Sequence, residues 1–186
     1  LQQLATDRSI RVLVLRGQSE KSMIGGADIK EMVKLDQATA ETFISRLRDL
    51  CEAVRQFPAP VIARLPGWCL GGGLEVAAAC DFRIAAHDAH FGMPEVRVGI
   101  PSVIHAALLP RLIGWARARW LVMTAQNIDA PTALAWGLVN RVVPAADLDG
   151  AVAALAATIV EKPPEVIAAG KAFFYRQLAV PVETAY

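Results

Sequence analysis

The sequence has no apolar run long enough to cross a membrane, because charged residues and prolines interrupt every candidate. It also has no block of basic residues and no pattern of stacking aromatics, and its formal net charge is only +1. A chain with this charge balance does not attract nucleic acid electrostatically. We therefore expect neither a membrane nor a nucleic acid among the partners of this chain.

Cysteine is scarce, and the three cysteines (Cys51, Cys69 and Cys80) lie in apolar surroundings without the spacing of metal ligands. This usage is typical of reduced core thiols in a cytoplasmic protein, and we predict no metal site. Nucleotide-binding motifs are absent as well, since no GxGxxG follows the first predicted strand and GK[ST] does not occur. These absences argue against a nucleotide-binding module.

Hydrophobic residues are abundant, at 54% with a mean hydropathy of +0.37. Much of such a chain must be buried, either in a core or between subunits. Hydrophobic periodicity predicts strands at residues 10–17, 61–65, 81–86, 90–92 and 139–143, and helices at residues 28–34, 39–56, 74–80, 101–109, 115–124, 131–136, 148–160 and 164–178. Strands separated by helices favour a layered α/β domain with parallel pairing.

The division of the chain follows from this pattern. A chain of 186 residues is long enough for a single domain. We predict one domain over residues 1–186, with an α/β core over residues 1–140. Residues 141–186 are predicted to be the start of a mostly helical C-terminal region.

A run of three glycines, residues 71–73, separates the strand predicted at 61–65 from the helix predicted at 74–80. At such a strand-to-helix turn, backbone N–H groups are free to face a ligand, and glycine lets the ligand approach closely. Glu75 falls in the first turns of this helix, where an acid is costly to bury unless it is paired or used. Taken alone, the stretch also fits a tight turn followed by a helix acid favoured by the helix dipole.

Two further motifs give the glycine turn a context. Residues 25–30 read GGADIK and form a loop entering a helix, and residues 91–95 read FGMPE. In order and spacing, these strings and GGGLE at 71–75 resemble the enoyl-CoA hydratase/isomerase family, the crotonase superfamily. The family's own strings are close to AGADIK, GGGxELAxxCD and FxxPE, and the resemblance runs from about residue 10 to 178.

The resemblance implies the crotonase-like (ClpP/crotonase) α/β fold, built of repeated ββα units with a helical C-terminal region. The family has a strand pair and a helix before this point and a further helix after it, so we expect the sequence to be truncated at both ends. The resemblance also implies fatty acid metabolism and assembly as a homotrimer or hexamer.

The resemblance further implies the catalytic groups. Ala27 and Gly72 would supply the two backbone N–H groups of an oxyanion hole, which stabilises charge developing on a thioester oxygen. Glu75 and Glu95 align with the two glutamates of the family's hydratases. In that case Glu95 handles the proton at the α-carbon and Glu75 orients and activates water. The alternatives are turn geometry for the first pair and a surface helix acid and a loop acid for the second.

The substrate implied is an acyl-CoA thioester, with coenzyme A as part of the substrate and no separate cofactor. We expect coenzyme A to be held mainly by backbone contacts around residues 23–30. The predicted substrate-binding residues are Met23, Gly25, Gly26, Asp28, Ile29, Lys30, Trp68, Gly71, Pro94 and Ser102. For Trp68 a packed core position is the alternative, and for Lys30 an exposed position on its helix.

The sequence departs from the family after the second glutamate. Hydratases continue with a glycine-rich IPGxGG, whereas residues 100–105 here read IPSVIH. The departure leaves the acyl group open. It also keeps two other functions in view, a Δ3,Δ2-enoyl-CoA isomerase or related enolate chemistry, and a non-catalytic acyl-CoA-binding subunit. Of the histidines, none has a nucleophile elbow beside it, and only His105 is a candidate for the pocket.

Overall fold

The computed structural model describes residues 1–26, 32, 36–102 and 104–185. Its strands are β1 (Leu13–Leu15), β2 (Val61–Leu65), β3 (Trp68–Leu70), β4 (Phe82–Ala86), β5 (His90–Gly92), β6 (Ile128–Asp129) and β7 (Arg141–Val143). Its α-helices are α1 (Gln2–Ala5), α2 (Gln37–Arg55), α3 (Gly72–Ala79), α4 (Leu109–Ile113), α5 (Trp115–Thr124), α6 (Ala130–Trp136), α7 (Leu148–Val160) and α8 (Pro164–Gln177). Short 3₁₀ helices occupy Glu95–Val98, Ala106–Leu108, Ala145–Asp147 and Val182–Thr184.

The strands form two sheets. The larger is parallel throughout, in the order β1-β2-β4-β7, and every residue of β2 is buried, as expected for a strand covered on both faces. The smaller has the order β3-β5-β6, with β3 and β5 parallel. Consecutive strands β2 and β3, and then β4 and β5, alternate between the sheets. This confirms the predicted α/β class and its ββα repeat.

Helix α2 packs against the helix that follows the glycine turn. Asp36 caps α2, since its carboxylate accepts a hydrogen bond of 2.8 Å from the backbone N–H of Thr39, and the Thr39 hydroxyl accepts one from the backbone N–H of Asp36. The apolar side of the helix buries Cys51 and Val54 completely. This packing sets α2 against α3, the helix that follows the glycines.

The helix predicted over residues 101–109 is wrong. Among the described residues of this stretch, 3₁₀ structure begins only at Ala106 and the α-helix α4 only at Leu109. The physical reason is that the backbone N–H groups of His105 and Ala106 donate to the carboxylate of Glu75. Donors used in this way are not available to a regular helix over the same residues.

The C-terminal region is mostly helical, as predicted, and its helix α7 covers the larger sheet. Leu148 and Val152 of α7 are buried against Ile62 and Ile84 of the sheet. Helix α8 is held at the end of β4 by polar side chains that bind Asp81. Within the described ranges, no helix has both the length and the apolar character needed to span a bilayer.

Candidate active site

A cavity of about 380 Å³ opens where α3 begins, between α2 and the chain that follows β5. Its lining is mostly apolar, with two glutamates and one arginine: Gly25, Gly26, Met32, Phe43, Ile44, Leu47, Leu70, Gly71, Gly72, Glu75, Pro94, Glu95, Arg97, Val98, Ile100, Pro101, Ser102 and Ile104. A concave, mainly apolar site with a few polar groups is typical of small-molecule binding. All three predicted motifs contribute to it.

Most predicted site residues within the described part of the chain meet at this cavity. Gly25, Gly26, Gly71, Gly72, Glu75, Pro94, Glu95 and Ser102 all line it. Ala27, Asp28, Ile29 and Lys30 lie outside the described residues, and so does most of the helix predicted at 28–34.

Two predicted residues lie elsewhere. Met23 is buried in the core, and its backbone N–H donates to the carbonyl of Trp68 at 3.2 Å. Trp68 stacks on His90 with ring centroids 4.7 Å apart and is half-exposed, so it is neither a wall of this cavity nor a packed core residue. The three cysteines are buried and free, as predicted.

The glycine turn brings backbone into the cavity. Gly71 has φ +54° and ψ −128°, a conformation that favours glycine, and its N–H donates to the carbonyl of Gly92 at 2.9 Å. Gly72 is the first residue of α3, and the N–H of a first helical residue has no acceptor inside its own helix. No other acceptor for this N–H lies in the described part of the chain, so it can donate to an oxygen bound in the cavity.

Glu75 is the buried acid of the site, only 3% exposed. Its Oε1 accepts two backbone hydrogen bonds, from His105 at 3.1 Å and from Ala106 at 2.9 Å. Burial raises the pKa of Glu75, with the nearby charge of Glu95 adding to it, and these effects outweigh the lowering by the backbone donors. A carboxylate with a raised pKa is a better base than a solvated one.

Glu95 faces the same cavity from the other side of the turn. It begins a 3₁₀ helix after Pro94 and is half-buried. Its Oε2 accepts a hydrogen bond of 3.1 Å from the hydroxyl of Ser102, and its Oε1 lies 2.6 Å from where a Cβ on Gly71 would stand. Ser102 therefore contacts one carboxylate through its side chain, and His105 and Ala106 contact the other through their backbone amides.

The sequence interpretation missed two features of the site. It predicted a helix over residues 39–56 from hydrophobic periodicity, but not that Phe43, Ile44 and Leu47 of this helix line the cavity. It also left His105 without a partner, whereas its Nε2 lies 2.9 Å from Oε1 of Glu52. Both depend on contacts between distant parts of the chain, which periodicity does not report. Within the described ranges, no group of three or more His, Cys, Asp and Glu residues could hold a metal ion.

Comparison with known proteins identifies the family. The family model described as enoyl-CoA hydratase/isomerase matches residues 1–186. The chain belongs to this family. The resemblance read from the three motifs is confirmed.

Several members of the enoyl-CoA hydratase/isomerase family are similar over most of this chain. A short-chain-enoyl-CoA hydratase of Clostridium acetobutylicum is 36% identical over 98% of this chain, which spans 70% of that protein. A crotonyl-CoA hydratase of Syntrophomonas wolfei is 40% identical over 84%, with 60% of that protein covered. The crystal structure of an enoyl-CoA hydratase from Mycobacterium smegmatis superposes with a TM-score of 0.96 at 36% identity, covering 100% of this chain and 72% of that one.

Proposed function

We propose that this protein is a hydro-lyase that adds water across the double bond of a 2-enoyl-CoA thioester. The observation that carries the proposal is that Glu75 and Glu95 line one cavity, together with Gly72, whose N–H has no acceptor among the described residues. Hydration needs one group to take a proton from water and another to give a proton to carbon, and two carboxyl groups provide both. The hydratases similar to this chain support the same reaction.

In the proposed reaction Glu75 acts on water and Glu95 handles the proton at the α-carbon. Glu75 takes a proton from water while the water oxygen bonds to the β-carbon. The electrons of the double bond move toward the thioester carbonyl, whose oxygen gains negative charge. The N–H of Gly72 and the start of the α3 dipole stabilise that charge, with the N–H of Ala27 as the predicted second donor.

The second half of the reaction forms the carbon–hydrogen bond. Glu95 gives its proton to the α-carbon, and the enolate electrons form that bond as the carbonyl is restored. Glu75 is then protonated and Glu95 ionised, and proton exchange with solvent resets the pair. Ser102 holds Glu95 through its hydroxyl, and the amides of His105 and Ala106 hold Glu75.

The lining of the cavity supports an apolar acyl group. Helix α2 contributes Phe43, Ile44 and Leu47, and the opposite wall contributes Ile100 and Ile104. Side chains of this kind favour hydrocarbon through the area they remove from water. The family's double-bond isomerases need only one glutamate, so the second acid favours hydration over isomerisation.

Three further expectations belong to the same proposal. We propose a homotrimer or hexamer, supported by large apolar side chains left exposed on α5, on α8 and at the residue after α8: Trp115, Met123, Val166, Phe173, Phe174 and Leu178. We also propose that the enzyme is cytoplasmic and needs no cofactor beyond the coenzyme A of its substrate.

The test is a steady-state assay of the purified protein with crotonyl-CoA, following loss of the enoyl thioester and formation of 3-hydroxybutyryl-CoA. We expect turnover to the hydroxy product. A parallel assay with a 3-enoyl-CoA measures isomerisation. Conversion of the 3-enoyl substrate without hydration of crotonyl-CoA would establish the isomerase instead, and binding of crotonyl-CoA without turnover would establish an acyl-CoA-binding subunit.

A further inference from the structure

His105 connects the buried acid of the site to helix α2. Its backbone N–H donates to Oε1 of Glu75 at 3.1 Å, next to the N–H of Ala106 at 2.9 Å. Its imidazole Nε2 lies 2.9 Å from Oε1 of Glu52, which belongs to α2. A single residue thus touches the candidate base with its backbone and a distant helix with its side chain.

The side-chain anchor is buried and specific. His105 is only 7% exposed. Among the described residues, its Nδ1 has no hydrogen-bond partner, and the imidazole ring pairs only with Glu52, through Nε2. Glu52 is held in turn by Arg55, at 2.7 Å from its Oε1, and by the amide of Gln56 at 3.3 Å. The carboxylate that receives His105 is therefore already fixed on α2.

Electrostatics agrees with this arrangement. Burial raises the pKa of Glu52, but the hydrogen bonds from His105 and Arg55 and the charge of Arg55 outweigh burial and bring this pKa below its usual value. Glu52 is therefore ionised at neutral pH. An ionised acceptor makes the hydrogen bond from Nε2 charge-assisted, and bonds of this type are stronger than those between neutral groups.

The chain around His105 needs such an anchor. Residues 101, 102, 104 and 105 have no regular helix or strand, so no backbone ladder fixes them. The two amides that bind Glu75 lie at the end of this irregular stretch. If this stretch shifts, the carboxylate of Glu75 shifts with it. The second oxygen of Glu75 then loses its alignment with the water that it activates.

We propose that His105 and Glu52 are positioning residues for Glu75, holding the amides of His105 and Ala106 where they fix one carboxylate oxygen. The proposal rests on the proposed hydration reaction, in which Glu75 activates water. His105 and Glu52 have no contact with the reacting atoms in this scheme. Their effect is on the geometry of the acid that does.

The first test compares His105→Leu with His105→Gln in the crotonyl-CoA assay. Leucine fills the buried site without a donor, and we expect kcat to fall by up to about 100-fold with little change in KM, because positioning affects the transition state more than binding. Glutamine can still donate to Glu52, so we expect it to restore most of kcat. Equal kcat for His105→Leu and the wild type, or equal losses for both variants, would overturn the proposal.

The second test reaches the same contact from α2 and covers the case in which His105→Leu fails to fold. Glu52→Ala removes the acceptor, and we expect the same fall in kcat. Asp49→Ala is the matched control, since Asp49 lies on the same helix and also pairs with an arginine, Arg48, at 2.9 Å. Among the described residues Asp49 binds only Arg48 and does not contact the site, so kcat should be unchanged. Equal kcat for Glu52→Ala and Asp49→Ala would overturn the proposal.

Failure of this proposal is distinguishable from failure of the proposed function. If the wild-type protein does not hydrate crotonyl-CoA, the reaction itself is wrong. If the wild type is active and the folded His105 and Glu52 variants keep its kcat, only the positioning role is wrong. Thermal unfolding of each variant shows which of them are folded.

Discussion

Gly71 shows how a single residue fixes the distance between backbone and acid. Its φ of +54° is unfavourable for any residue with a Cβ, and a Cβ would stand 2.6 Å from Oε1 of Glu95. We expect Gly71→Ala to reduce hydration by displacing Glu95, and to destabilise the fold by about 1–3 kcal/mol through backbone strain. The measurements are kcat with crotonyl-CoA and thermal unfolding.

The control for that substitution is Gly150→Ala. Gly150 lies inside α7 with open space where its Cβ would be, so alanine should stabilise the helix by up to about 1 kcal/mol and leave kcat unchanged. Full activity in Gly71→Ala would show that Glu95 does not depend on this turn.

Glu75 should make stability depend on pH. Its folded-state pKa is raised, so folding favours the protonated carboxyl, and the stability of the wild type falls as pH rises from the unfolded pKa through the folded one. Glu75→Gln removes that titration and keeps an acceptor for the two amides. We therefore expect the variant to unfold at a higher temperature than the wild type at neutral pH, with the difference shrinking in acid. Thermal unfolding of both proteins from acidic to neutral pH measures this. A difference independent of pH would contradict the raised pKa.

At the residue scale, the sequence predicted the acids but not what holds them. Glu75 and Glu95 follow glycine and proline signals that lie next to them in the chain. The donors to Glu75 come from residues about thirty positions away in the sequence. They are backbone N–H groups, which every residue except proline has, so residue type does not reveal them. A departure from a family string, here IPSVIH, marks such a place without showing its geometry.

Helix α8 shows at the scale of elements how a polar contact attaches a helix to a sheet. Lys171 donates to Oδ2 of Asp81 at 2.7 Å, and the hydroxyl of Tyr175 donates to Oδ1 at 2.8 Å; the side chains of Lys171 and Asp81 are largely buried. We expect Lys171→Met to destabilise the protein by about 3 kcal/mol, because it leaves a buried carboxylate without its cation. Chemical denaturation measures this change.

Lys162→Met is the matched control for Lys171→Met. Lys162 pairs with Glu161 at 3.5 Å, and both side chains are exposed, so the loss should be about 0–1 kcal/mol. Equal effects of the two substitutions would show that α8 is not docked through Asp81.

Among the elements, those with a strong local signal were predicted well. Strand β2 and helices α5 and α7 have the predicted bounds, since β-branched runs, helical periodicity and nearby glycine or proline define them. Strands β3 and β6 were missed because they span three and two residues and depend on pairing with β5. The helix predicted at residues 101–109 was wrong because the backbone N–H groups of His105 and Ala106 donate to Glu75.

For the whole molecule, the two sheets explain why the motifs meet. Strands β2 and β4 lie side by side in the larger sheet, and β3 and β5 lie side by side in the smaller one. The glycine turn follows β3 and the second glutamate follows β5. Because parallel neighbours end at the same edge, Gly72 and Glu95 reach one cavity although they are far apart in sequence. The α/β class was predicted from the alternating strands and helices, whereas the joining of the motifs in one site was predicted only from the family resemblance.

The most direct test of the two-acid reaction is the steady-state hydration of crotonyl-CoA by the wild type, Glu75→Gln and Glu95→Gln. Each glutamine keeps the shape of the carboxyl group and removes its proton transfer. We expect both variants to lose about 10²- to 10⁴-fold in kcat while remaining folded. Full activity of Glu75→Gln beside an inactive Glu95→Gln would contradict the reaction proposed for this protein.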